Sequence, residues 1–151
     1  MMRFFTNAIM QFHNRMGLDV SNTPRLLPCN ATNAKLFADR LLDMAREAAT
    51  TSQGTDDLLL SRTALALEEM AEWLLAHAAG DLVAAADAWG DRCYVLLGDA
   101  VSAGLPTYGL LVAIHRSNMT KTADPAGGKP TKGEDYVAPD IKGALQRMWR
   151  R

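Results

Sequence analysis

The segment from Arg62 to Asp99 constrains this chain most, because it places carboxylates where a helical protein needs apolar surface. It divides into RTALALEEMAEWLLAHAA, stopped by Gly80, and DLVAAADAWGDRCYVLLGDAVSA, stopped by Gly104. Asp81 is a suitable N-cap for the second helix, and a glycine just past the last turn is a favoured stop. At about 100° per residue, Asp87 and Asp91 share one face, roughly 40° apart. The same sector holds Val83, Ala84, Tyr94, Val95, Gly98 and Val101, so the polar side is expected around Asp81, Arg92 and Asp99. On the preceding helix Glu68, Glu69 and Glu72 share a sector with Leu58, Leu65, Leu75 and Ala76. Its opposite side, with Leu60, Leu67, Met70, Ala71, Leu74 and Ala78, is apolar as well.

Carboxylates removed from water are costly unless a cation or hydrogen bonds compensate them. Five acids on neighbouring helices, with only Arg62 nearby as a positive partner, point to a metal ion. Oxygen-only ligands suit Mg²⁺ or Mn²⁺ rather than zinc or copper. The plain alternative is that Glu68–Glu72 is a solvated helix face. The aspartates in an apolar stripe favour a site.

The rest of the chain reads as one all-α domain spanning 1–151. Residues 3 to 16 place Phe5, Ile9, Phe12 and Met16 at helical spacing, and Gly17 ends the run. A loop with two prolines follows, then a helix capped by Thr32 or Asn33 that buries Leu41, Ala45 and Ala48, with Leu36, Phe37 and Leu42 beside them. TTSQGT breaks the chain before the acid-bearing helix, roughly 55 to 79, which forms an antiparallel pair with the next. Pro106 and Thr107 open a fifth helix holding Leu110, Leu111 and Ile114. A flexible segment rich in lysine and glycine, about 121–139, precedes a short helix capped by Asp140 and the basic end RMWRR. No period-two strand pattern and no repeat is visible.

Composition narrows the function class. A 48% hydrophobic content supports a folded core, and a net charge of −1 argues against a binder of polymeric nucleic acid. The first residues are interrupted by Asn7 and Gln11 and read as neither signal peptide nor membrane span. Cys29 and Cys93 lack metal spacing and suggest a reducing, cytoplasmic setting.

Several motifs together resemble the all-α nucleoside triphosphate pyrophosphohydrolases, the MazG-like enzymes and their phosphoribosyl-ATP pyrophosphohydrolase relatives. Glu69-Met-Ala-Glu72 is similar to their ExxE element, with Arg62 upstream, and DAWGDRCYVLLG resembles their second acidic helix. HRSNMTK, from His115 to Lys121, resembles the HxSNxxK of one subgroup, and GKPTKGEDYVAPDI its closing loop. One position departs. Where the pattern has a glutamate three residues before the last aspartate this chain has Ala88, leaving Asp87 as the substitute.

The resemblance implies a four-helix-type bundle with short flanking helices, assembled as a homodimer or homotetramer. It implies hydrolysis of a nucleoside triphosphate between the α and β phosphates, with Mg²⁺ (or Mn²⁺) on Glu69, Glu72, Asp87 and Asp91. Glu68 or Glu69 would act as base. Arg116, Asn118, Lys121, Lys129, Lys132 and Tyr136 are the expected substrate contacts. The rival from another class is a non-catalytic helical relative, which Ala88 keeps in play. A di-iron bundle lacks its Glu-x-x-His pairs, and GGKP puts proline where a phosphate-binding loop needs Ser or Thr.

Overall fold

The computed structural model describes residues 2–148, and the basic end RMWRR lies for the most part outside the described residues. It is all-α, with six helices: α1 (Met2–Met16), α2 (Ala31–Ser52), α3 (Leu58–Ala79), α4 (Leu82–Ser102), α5 (Thr107–Asn118) and α6 (Ile141–Met148). No strand is present among the described residues, where pairing is limited to a single antiparallel bridge between Thr122 and Thr131. None of these helices is by itself long and apolar enough to cross a membrane. The backbone divides into two compact units, Thr23–Ala103 and a second made of Met1–Asn22 with Gly104–Arg151.

In the Thr23–Ala103 unit α3 packs against both α2 and α4. The two turns explain the path. Helix α2 begins at Ala31, earlier than Thr32 or Asn33 as cap would give, because Asn30 accepts from the Asn33 amide at 3.0 Å. Thr55 folds back on the Ser52 carbonyl, so α3 starts at Leu58 rather than near 55, capped by Asp57 on the Leu60 amide. At the other end Gly80 takes a left-handed φ of 73°, and the Asp81 amide donates to the Ala76 carbonyl at 3.0 Å. Asp81 then accepts from the Val83 and Ala84 amides. Two residues thus stop one helix, satisfy its carbonyls and start the next.

The core of this unit is built from alanine. Ala34, Ala38, Ala45 and Ala48 of α2, Ala64, Ala71 and Ala76 of α3, and Ala85, Ala88 and Ala100 of α4 are buried. Small side chains let helix backbones approach closely. Larger side chains splay outward: Leu41 and Leu42 are half-buried, while Leu36 and Phe37 are exposed.

Helix α4 turns a different face to α3 than its polarity pattern suggests. Arg62 donates through Nε to Asp99 and through Nη2 to the Val95 carbonyl at 2.9 Å. This contact holds Asp99 toward α3, and Arg92 lies over the Trp73 ring of the same helix; both are half-buried, although the sequence reading puts them on the wet side. The expected apolar stripe points outward instead, with Val83, Tyr94 and Val101 each 81% exposed. Gly98 permits the arrangement, since a Cβ there would lie 2.5 Å from Arg62 Nη2. The pair also fixes register: Arg62 and Asp99 are equidistant from the Gly80–Asp81 turn, so Glu69 stands within about one residue of Asp91 in height and Glu72 within about two of Asp87.

In the other unit α1 packs on α5, and α5 on α6. Phe4, Phe5 and Tyr108 form an aromatic cluster with centroids 5.4 to 6.0 Å apart. Met16 is buried and Gly17, at φ 67°, ends α1 as its spacing suggests, while Ile9 stays exposed.

The Arg62 anchor yields a stability prediction. Arg62→Met keeps most of the aliphatic stem but leaves Asp99 and the Val95 carbonyl without their donor. It should lower unfolding free energy by about 1–3 kcal/mol in urea titrations, whereas Arg46→Met, which breaks a fully surface pair with Asp43, should change it by less than about 0.5 kcal/mol.

Candidate active site

The five acids lie on one side of the α3–α4 hairpin, held by the register that Arg62 sets. Glu68 and Glu69 are half-buried, and Glu72, Asp87 and Asp91 are exposed. Glu69 is the focus. Its Oε2 is buried and has no hydrogen-bond partner. Its pKa is raised above the ordinary 4.5, first by loss of water and then by the negative charges of Glu72, Asp91, Glu68 and Asp87. All four neighbours therefore act on one carboxyl, which spacing along two separate helices could only suggest.

This arrangement answers two expectations differently. Arg62 does not serve the acids, because its guanidinium is committed to Asp99 and Val95. The aspartates do not sit in a dry stripe, because the face carrying Val83 and Tyr94 is exposed in this unit. Ala88, standing where the resembled pattern has glutamate, is buried. Asp87 is exposed, about 100° around the helix from Ala88, so it offers a carboxylate from a different direction.

The chemistry of these donors suits a hard divalent cation, although in this structure they are not drawn together as a ligand set. The ligands are all carboxylate oxygens, the charge is uncompensated, and one buried oxygen lacks a partner. Among the described residues, no three acid, histidine or cysteine side chains are gathered closely enough to hold an ion.

The same hairpin holds a group that sequence spacing did not single out as buried. His77, in the last turn of α3, is 8% exposed; its Nδ1 lies 2.8 Å from the Trp73 carbonyl and its Nε2 has no partner. The Trp73 ring lies against it, tilted by 53° with centroids 4.3 Å apart, and Arg92 lies 5.2 Å from the Trp73 ring. Trp89 is half exposed.

The expected substrate contacts all belong to the other unit. Asn118 is the last residue of α5, and its carbonyl accepts from the Lys121 amide at 3.1 Å. Lys121 and Tyr136 are half-buried, and Arg116, Lys129 and Lys132 are exposed. The segment expected as a flexible loop is pinned at several points. Thr122 and Thr131 exchange both backbone hydrogen bonds at 3.0 Å. The Ser117 hydroxyl donates to the Val137 carbonyl, and the Val137 amide donates to the Thr120 hydroxyl. Lys132 Nζ lies 5.0 Å from the Tyr136 ring centre. Arg116 also lines a cleft of about 1010 Å³ with Tyr108, Val112, Val137, Pro139 and Asp140, which periodicity alone did not reveal.

The raised pKa of Glu69 has a signed consequence. Its proton is held more tightly in the folded chain than in the unfolded one, where the carboxyl titrates near 4.5. The associated stability is present below pH 4.5 and is lost as pH rises through the folded value. In EDTA, Glu69→Gln should therefore remove part of this decline and be at least as stable as wild type at pH 7. With Mg²⁺ at about 100 times its Kd, wild type should gain about 2.7 kcal/mol and the variant much less. Urea titrations at pH 4.5 and 7, with and without Mg²⁺, measure both effects.

Comparison with known proteins places the chain in a family. No curated protein and no solved structure matches the chain, but the family model described as phosphoribosyl-ATP pyrophosphohydrolase matches residues 31–118, from the start of α2 to the end of α5. That stretch is more than half of the chain and contains all five acids. The chain belongs to the phosphoribosyl-ATP pyrophosphohydrolase family, whose activity is of the pyrophosphohydrolase type.

Proposed function

We propose that this protein is a Mg²⁺-dependent nucleoside triphosphate pyrophosphohydrolase that converts a (d)NTP or a related nucleotide to its monophosphate and pyrophosphate. The observation that carries this reading is Glu69, with a buried, unpartnered oxygen and four carboxylates acting on it, within this family. Glu69, Glu72, Asp87 and Asp91 would hold the ion. When bound, Mg²⁺ supplies charge neutralisation for phosphate oxygens and lowers the pKa of coordinated water. Mn²⁺ suits the same oxygen donors.

The chain's own groups do the rest. Glu68 or Glu69 accepts a proton from the attacking water. The water oxygen bonds to phosphorus as the bond to the α–β bridging oxygen breaks, and pyrophosphate leaves with the electron pair. Arg116, Lys121, Lys129 and Lys132 neutralise phosphate charge, Asn118 donates to a phosphate or sugar oxygen, and Tyr136 stacks or hydrogen-bonds.

The exposed Val83, Tyr94 and Val101 on the acid-bearing helix support a homodimer or homotetramer that covers them. The free thiols Cys29 and Cys93 support a reducing, cytoplasmic setting. Tyr94→Arg should lower the mass measured by light scattering to that of one chain, whereas an unchanged mass would place the contact elsewhere.

The function is tested by pyrophosphate release from a panel of dNTPs and NTPs with Mg²⁺ or Mn²⁺. Release should fall at least about a hundredfold in Glu72→Ala, since a lost metal ligand removes several kcal/mol of charge stabilisation. If no nucleotide yields pyrophosphate and neither ion binds, the chain is a non-catalytic relative in which the change to Ala88 marks lost activity.

A further inference from the structure

The cleft beside α5 is framed by two attachments about 12 Å apart along that helix. At one, α6 meets α5, where a Cβ on Gly109 would lie 3.8 Å from Ala144. At the other, the Ser117 hydroxyl donates to the Val137 carbonyl at 2.7 Å, and the Val137 amide donates to the Thr120 hydroxyl at 2.9 Å. Between them lies the space of about 1010 Å³, floored by Val112 and Ala113. That volume is at the upper end of the range for small-molecule sites, about 300–1,000 Å³. Tyr108, Val112 and Arg116 follow one another at four-residue spacing on this face of α5. Asn118 lies about 160° round the helix from Arg116, so the cleft is separate from the side that Asn118 presents.

The polar groups of the cleft are unequally committed. Ser117 and Thr120 are spent on Val137, Thr120 also donates to the Ser117 carbonyl, and Asp140 accepts from the Gly143 amide as the cap of α6. Among the described residues, the Arg116 guanidinium and the Tyr108 hydroxyl make no hydrogen bond or ion pair. The other walls are apolar, with Val112, Val137, Pro139 and Ala144. One available cation over apolar and aromatic surface selects a bulky apolar body with a single anionic head. Asp140 brings the charge of the lining to zero, which disfavours a polyanion such as a triphosphate.

We propose that this cleft is a second ligand site, for a bulky apolar monoanion such as an aryl carboxylate or sulfonate, held by Arg116 and flanked by Tyr108. The site lies wholly within the unit that contains α5 and α6 and involves none of the five acids. In the proposed reaction Arg116 also neutralises phosphate charge, so an occupant of the cleft competes with the nucleotide for one guanidinium. Only that competition rests on the pyrophosphohydrolase reading.

The test uses anilinonaphthalene sulfonate and the uncharged phenylnaphthylamine, probes that share their rings and differ in the sulfonate. Titrated into the full-length protein, the sulfonate should shift the amide resonances of Val112, Ala113, Arg116, Val137 and Ala144 together and to saturation. Arg116→Met, at an exposed side chain, should weaken the sulfonate about tenfold or more and the uncharged probe by less than about twofold. In nucleotide hydrolysis the sulfonate should raise KM and leave kcat unchanged. Shifts that fail to saturate, or that centre on the exposed Val83, Tyr94 and Val101 of α4, would overturn the site. Equal weakening of both probes by Arg116→Met would do the same. An unchanged KM in an active enzyme with the cleft filled would overturn the competition. Saturating, Arg116-dependent binding in a chain that hydrolyses no nucleotide would uphold the site while the proposed function fails.

Discussion

The contact from Arg62 to Asp99 and the Val95 carbonyl decides how the acid-bearing hairpin is put together. A charged side chain that is largely removed from water needs its hydrogen bonds, and Arg62 finds them only if α4 presents its Asp99 side to α3. Once that side is inward, the helices close on Ala85 and Ala88, and Gly98 leaves room for the guanidinium. The same choice of face leaves Val83, Tyr94 and Val101 outward and brings Asp91 level with Glu69. The electrostatics of Glu69 therefore follow from a contact two turns away that involves none of the five acids.

The site is costly to the fold in a way that suits binding. Glu69 loses water and gains only negative neighbours, so its ionised form is disfavoured in the absence of a cation. A divalent ion bound there would reverse the sign of that environment, since the carboxylates that raise the Glu69 pKa would then stand beside a positive charge. His77, buried at the other end of the same helix with one ring nitrogen unpartnered, has no such set of neighbours and plays no part in this account.

Much of this was legible in the sequence, and the misses share a cause. Helix content, the turn at Gly80–Asp81, the Asp140 cap and the grouping of the acids follow from local chemistry, in which capping atoms lie within a few residues of the groups they satisfy. The inward face of α4 departs from its polarity pattern because a half-buried arginine on the partner helix outweighs polarity as a guide to burial. Periodicity carries no record of such a partner. The cap of α2 lies two or three residues earlier than expected because Asn30, Thr32 and Asn33 are all acceptable caps. The ties of segment 121–139 to Ser117 and Thr120 run between side chains and backbone, which composition does not encode. At the Ala88 departure the two positions face differently, with Ala88 buried and Asp87 exposed.

The claim on which the account depends is that the acids of α3 and α4 bind one kind of ion together. The most direct measurement is paramagnetic broadening of amide resonances on titration with Mn²⁺ at substoichiometric concentrations. The account predicts that signals from residues 68–72 and 87–91 broaden first and together, and recover when excess Mg²⁺ is added. Broadening that spreads evenly over all surface carboxylates, or that appears at Asp43 and Asp56 as readily as at Glu69 and Asp91, would contradict it.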